Sequence, residues 1–201
     1  MKLNKNFYLK PTLTVARELI GCVLVREKSD EITSGKIVET EAYLGFEDRG
    51  SHSYKNKHTP SMDPLYKSGG HCYIFPIYGI GYCFNVVTES ENVPRAVLIR
   101  ALEPIDGIDL MVKRRNFSRT NPSNLKNLTN GPVKLCEAMD IDAKISGNNL
   151  CGDELFILGQ KLGTNEKILT STRINIDYAE EDQFKPWRFI LEGNKFLSRK
   201  V

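Results

Sequence analysis

A chain of 201 residues, 40% hydrophobic and 26% charged, lies at the upper edge of one ordinary domain and can bury a core without a disulfide or metal staple. Its formal charge of +3, from 28 Lys and Arg against 25 Asp and Glu, is too slight to mark a nucleic-acid binder by itself. Five cysteines, odd in number and without any C-x-x-C, speak against a disulfide framework or a zinc knuckle, and no uncharged apolar stretch is long and unbroken enough to span a bilayer. The expectation is a single intracellular domain over residues 1–201.

From the N-terminus, "TLTVARELIG" reads as a short helix. Thr12 or Thr14 can cap it, Val15, Leu19 and Ile20 form its stripe, and Gly21 can close it in the left-handed conformation. "CVLVRE" and "KIVETEAYLG" follow as an antiparallel hairpin joined by the polar turn "KSDEITSG". Alternation in the second strand sets Glu39, Glu41 and Tyr43 on one face and Val38, Thr40, Ala42 and Leu44 on the other. The apolar face belongs to the core, so the acidic one is either solvated surface or a site. From Phe46 to Gly70 periodicity vanishes, and a long loop carrying His52, His58, Pro60 and Pro64 reads as functional.

"HCYIFPIYGIGYCFNVVT" offers two alternating strands about a "YGIG" turn, and "RAVLIRALEP" a third that ends near Arg100. The aromatic residues Tyr66, Tyr73, Phe75, Tyr78, Tyr82 and Phe84 crowd this region. Most suit cross-strand packing, but Tyr78 stands at the turn, where an exposed ring can fill the gap left by an extruded nucleotide. "PIDGIDLMVKRR" reads as a helix with Ile108, Met111 and Val112 inward, "NFSRTNPSNLKNLTN" as a polar loop, and "GPVKLCEAMDI" as a helix with Pro132 at its first position. "DELFILG", "KILTSTRINI" and "WRFILEG" read as strands. Hairpin-linked strands with helices at intervals argue an α+β fold around a mainly antiparallel sheet. Lys55, Lys57, Lys113, Arg114, Arg115, Arg119, Lys195, Arg199 and Lys200 are candidates for a basic face.

Five motifs in order, "IVETEAYLG", "DRGSHS", "YIFPIYGIGYCFNV", "VLIRALEP" and "LTNGPVKLCEAMDI", resemble those of the alkyladenine (3-methyladenine) DNA glycosylase family in its bacterial form. The resemblance runs on to "RINI" and "KPWRF" and covers nearly the whole chain. It implies a curved antiparallel sheet with surrounding helices, similar to the C-terminal, tRNA-binding domain of methionyl-tRNA formyltransferase. It further implies a monomeric, cytoplasmic, nucleoid-associated DNA repair enzyme that flips an alkylated or deaminated purine from duplex DNA and hydrolyses its N-glycosidic bond. The lesions implied are 3-methyladenine and 7-methylguanine, with hypoxanthine and ethenoadenine as neutral candidates.

By the same resemblance Glu41 activates the water and Arg100 holds both water and carboxylate. Tyr43 and His52 line the base pocket with Phe75, Asn85 discriminates against guanine, and Ile174 lays its backbone against the base. Tyr78 is the minor-groove wedge, and Lys134, Arg114 and Arg115 are candidates for phosphate contacts. Phe75 departs from the pattern, standing where many relatives carry a tyrosine. Glu39 is as well placed as Glu41 by periodicity and is set second only by the family match. His52, His58, His71, Cys72 and Cys83 have no standard ligand spacing, so no metal or other cofactor is expected. The rival reading is a non-catalytic module that binds tRNA or damaged DNA on the same scaffold.

Overall fold

The computed structural model describes residues 1–77, 79–116 and 122–199. Two short helices, α1 (Lys5–Tyr8) and α2 (Thr12–Glu18), open the chain. Pro11 rather than a threonine occupies the cap position of α2. The Thr12 hydroxyl is taken by Glu89 at 2.6 Å and Thr88 at 2.9 Å, so it ties the helix to the sheet instead of capping it. Gly21, at φ +92°, turns the chain into the first strand in the left-handed region, as expected of its position.

Strands β1 (Val23–Lys28) and β2 (Glu31–Tyr43) form the expected antiparallel hairpin, but the turn is only Ser29 and Asp30. Both have positive φ, 48° and 67°, the geometry whose twist matches that of a two-residue hairpin. "EITSG" is therefore strand and not turn: its polar side chains look loop-like, while its backbone is paired in register with β1. Next come β3 (Cys72–Ile77), β4 (Gly81–Thr88) and β5 (Arg95–Pro104), then helices α3 (Ile108–Arg114) and α4 (Pro132–Ala138). Three short strands finish the sheet, β6 (Leu155–Leu158), β7 (Ile168–Ser171) and β8 (Arg188–Leu191).

The result is an α+β architecture on a curled antiparallel sheet in the order β3-β4-β5-β2-β1-β6. The long strand β2 is its axis. One edge pairs with β5 along most of its length; the other pairs first with β1 and then, from Glu39 to Glu41, with β8. Residues 46–70, expected as an aperiodic loop, are instead punctuated by 3-10 segments at Gly45–Glu47, Tyr54–Asn56 and Pro60–Tyr66. The last of these packs Met62 and Leu65 against Tyr73, Val87 and Ala96.

The two faces of the sheet have different jobs. Ile74, Phe84, Val86, Val97, Ile99, Val38 and Ala42 point to one side, where they join Val15, Ala16 and Leu19 of α2 and Leu135 and Cys136 of α4 in the main core. Each Val, Leu, Ile or Phe among them stabilises the fold by about 1.5 to 3 kcal/mol relative to exposure. Period two then forces the intervening residues, Tyr73, Phe75, Cys83, Asn85, Leu98, Arg100, Glu41 and Tyr43, toward the opposite side. That side is not solvated surface: Glu39 and Glu41 are both completely buried, which removes the surface alternative for the acidic face. Among the described residues no helix is long and apolar enough to cross a membrane.

Candidate active site

The register of four strand pairs lines up one row across the sheet. Tyr73 on β3 faces Asn85 on β4, Asn85 faces Leu98 on β5, Leu98 faces Glu41 on β2, and Glu41 faces Arg188 on β8. The β2–β5 ladder is irregular in the middle of this region: Ile37 pairs with Leu102, Glu39 with Ala101 and Thr40 with Ile99. Val38 and Arg100 are thus skipped in turn. A bulge of this kind re-aims a side chain, and it leaves the Arg100 guanidinium between two carboxylates. Its Nη1 donates to Glu41 Oε2 at 3.2 Å, and its Nε lies 3.5 Å from Glu39 Oε1.

Each carboxylate has its own partners. Glu41 accepts the Ile174 backbone N–H on Oε1 at 2.7 Å and the Tyr43 hydroxyl on Oε2 at 2.8 Å, beside Arg100. Burial pushes its pKa above the ordinary carboxylate value, outweighing the opposing pull of Arg100, the Ile174 N–H and the Tyr43 hydroxyl. Burial and the adjacent Glu41 charge hold the Tyr43 phenol far above its usual pKa, so it remains a donor. Glu39 is bound instead by Arg188 Nε at 2.7 Å and by the hydroxyl and backbone N–H of Ser198 at 2.8 and 2.6 Å.

A cavity of about 250 Å³ opens on this face of the sheet. Its walls include Tyr43, His52, Phe75, Asn85, Arg100 and Ile174, so six of the residues selected from the sequence meet in one space. Glu41 lies directly behind the wall, with each of its three hydrogen-bond partners in it. The volume is a little below the roughly 300 to 1,000 Å³ of clefts for drug-sized ligands and suits one flat heterocycle.

The rings are ordered by contacts among themselves. His52 Nδ1 is 2.9 Å from the Tyr73 hydroxyl, and its ring stands edge-on to Phe75 at 4.4 Å between centroids. Although much of His52 is exposed at the cavity, loss of water around the ring and the nearby Lys57 hold its pKa below the ordinary value. Asn85 is buried and donates its amide to the Tyr73 carbonyl at 3.2 Å. The Cys83 thiol, also in the wall, is pushed up to about 12 by burial and so presents an uncharged, weakly polar surface.

The candidates for phosphate contact lie elsewhere. Arg114 donates to Glu31 at 2.8 Å and to the Ala138 carbonyl at 3.2 Å. Arg115 holds the Asn127 and Leu128 carbonyls and Glu137. Lys134 donates to Asn130 at 2.8 Å, and burial with the neighbouring Arg115 lowers its pKa. None of the three enters the cavity wall. Tyr78 lies outside the described residues. Among those residues no group of three or more His, Cys, Asp or Glu is arranged to hold a metal ion.

Sequence reasoning missed several members of the site. Cys83, Asn175 and Tyr178 line the cavity, and Arg188 neutralises Glu39. Asp48 and Arg173 form a fully buried ion pair at 2.6 Å beneath the Tyr43 ring. Asp48 opens "DRGSHS" and Arg173 opens "RINI", so motif membership was the available signal, but nothing local announces a partner 125 residues away.

Comparison with known proteins gives the family. A family model described as methylpurine-DNA glycosylase matches residues 6–195. Two relatives carry the name "Putative 3-methyladenine DNA glycosylase". One, from Desulfitobacterium hafniense, is 46% identical over 202 residues and covers 99% of both chains. The other, from Clostridium acetobutylicum, is 49% identical over 203 residues and covers 98% of both. With the family model spanning all but the ends of the sequence and identities well above those of chance similarity, the chain belongs to the methylpurine-DNA glycosylase family.

Proposed function

We propose that the protein removes damaged purines from duplex DNA, with 3-methyladenine and 7-methylguanine as substrates, by hydrolysis of the N-glycosidic bond in this cavity. The observation that carries the reading is the position of Glu41: a buried carboxylate whose Arg100, Tyr43 and Ile174 partners all belong to the cavity wall.

In the proposed reaction Glu41, ionised, takes a proton from a water held with Arg100. The C1′–N bond breaks with its electron pair leaving on the base, and the water oxygen adds to C1′. Alkylation at N3 or N7 makes the purine a cationic leaving group, so the enzyme chiefly has to place the water and stabilise the positive sugar. A buried carboxylate beside that sugar does both. The flipped base stacks on Tyr43 with His52 on its other side, each such stack contributing roughly 1 to 3 kcal/mol. A pKa held below the ordinary histidine value keeps His52 neutral at pH 7, so it does not repel a cationic base. Asn85 limits which exocyclic groups fit, the Ile174 backbone lies against the base, and Phe75 supplies a ring face without a hydroxyl. Tyr78 serves as the wedge, and phosphate contacts draw on the basic segments.

The curled antiparallel sheet supports kinship with the formyltransferase C-terminal scaffold and hence the rival, a binding module without catalysis. Glu41 argues against that rival. A carboxylate whose pKa is raised by burial makes the charged fold less stable, which a module that only binds DNA has no reason to retain. The test is a duplex with one lesion, incubated with the protein and then treated with hot alkali. Strand scission at the lesion supports the enzyme. Its absence for 3-methyladenine, 7-methylguanine, hypoxanthine and ethenoadenine alike rejects it.

A further inference from the structure

We infer that the Asp48–Arg173 pair is a positioning clamp for the reaction, holding at once the Tyr43 ring and the Ile174 N–H that orients Glu41. The inference rests on the reading of Glu41 as the base.

The pair is built for geometry. Arg173 donates Nη1 to Asp48 Oδ2 at 2.6 Å and Nη2 to Oδ1 at 2.8 Å, a two-pronged contact between completely buried side chains. The same guanidinium reaches the Ala42 carbonyl at 3.0 Å and the Asp182 carbonyl at 3.3 Å. Its carbon lies 4.8 Å from the Tyr43 ring centre and 4.9 Å from that of Trp187. Asp48 in turn accepts the Leu44 and Gly50 backbone N–H groups, both at 2.9 Å. One ion pair therefore fastens the end of β2, the turn that leads to His52, and the segment after β7.

That last segment needs such an anchor. Residues 172–176 belong to no strand, and Asn175 has a φ of 58°. Yet Ile174 must deliver its N–H to Glu41 at 2.7 Å, and Arg173 is the adjacent residue. A buried ion pair is seldom more stabilising than packed apolar side chains, so its presence here points to placement rather than to stability. Gly50 fits the same account. A Cβ there would come within 3.0 to 3.2 Å of the guanidinium, which fills the space over the glycine.

The consequence for Glu41 has a definite sign. The groups that face it are Arg100 from β5, Glu39 and Tyr43 from β2, Cys83 from β4, Arg188 from β8, which is held by Glu39, and Ile174, Arg173 and Tyr178 from the segment after β7. The Ile174 N–H favours the ionised carboxylate, so loosening it raises the pKa of Glu41 further.

The test uses Arg173→Lys, which keeps the charge and loses the fork, and Gly50→Ala, which keeps both charges and presses on the guanidinium. Release of 7-methylguanine from a single-lesion duplex is followed in single turnover against pH, below the melting temperature of each variant. Release falls about 10- to 100-fold in either variant and its acid limb moves to higher pH, while duplex binding is retained. A lower melting temperature with unchanged release and an unmoved acid limb overturns the clamp. If Arg173→Lys does not fold, Gly50→Ala decides by the same two readouts. Carbon NMR titration of the Glu41 carboxyl in wild type and Gly50→Ala separates this inference from the enzyme reading. A moved titration without base release leaves the clamp standing and the glycosylase reading rejected, and an unmoved titration rejects the clamp whatever the activity.

Discussion

Glu39 and Glu41 sit two residues apart on β2, point to the same side of the sheet and are equally buried, yet their surroundings differ in kind. Glu39 is enclosed by Arg188, Ser198 and the Nε edge of Arg100, with two guanidiniums near one carboxylate. Glu41 accepts hydrogen bonds from one guanidinium, a phenol and a backbone N–H, each of them in the cavity wall. Burial alone thus does not mark a base. What separates the two carboxylates is how fully their charge is compensated and whether their partners touch open space.

The comparison breaks first at Glu41→Gln. Single-turnover base release falls by about 100- to 10,000-fold, the usual worth of a general base, with lesion binding kept. Glu39→Gln strikes stability instead. Removing one partner of a buried pair costs about 3 kcal/mol, or about 6 to 12 °C in melting temperature for a chain of this size, and base release falls less than in Glu41→Gln. A Glu39→Gln protein that melts like the wild type would show that the Arg188 and Ser198 contacts are not structural.

Because the folded-state pKa of Glu41 lies above its unfolded value, its ionisation costs stability above the folded pKa and nothing below the unfolded one. The stability difference between wild type and Glu41→Gln therefore shifts in favour of the wild type as pH falls through that pKa, measurable by denaturant unfolding at several pH values. A smaller effect comes from Tyr43→Phe, which removes one hydrogen bond to the ionised Glu41: release slows about tenfold and its acid limb moves to higher pH. Least of all, Phe75→Tyr changes release of a cationic purine by less than about fivefold, read on a panel of lesion duplexes.

Much of the sheet was legible in the sequence because alternation is a local signal. β3, β4 and β5 follow it, and the same period two divides Ile74, Phe84 and Ile99 from Phe75, Asn85 and Arg100. Local polarity misled at "KSDEITSG", where pairing with β1 outweighs the loop-like composition and shrinks the turn to Ser29 and Asp30. Within the site, Tyr43 and His52 stood in recognisable motifs. The preference for Glu41 over Glu39 had no local basis, since their partners come from Ile174, Arg188 and Ser198, more than a hundred residues away. Nor does alternation foretell the bulge that aims Arg100, because that depends on the register of two strands together.

The most direct measurement is the pH profile of single-turnover 7-methylguanine release for wild type, Glu41→Gln and Glu39→Gln. A wild-type acid limb above the ordinary carboxylate value is expected, with release lost in Glu41→Gln and an acid limb retained in folded Glu39→Gln but moved to lower pH, because the Glu39 charge raises the Glu41 pKa. Full release by Glu41→Gln, or loss of the acid limb through Glu39 instead, would contradict it.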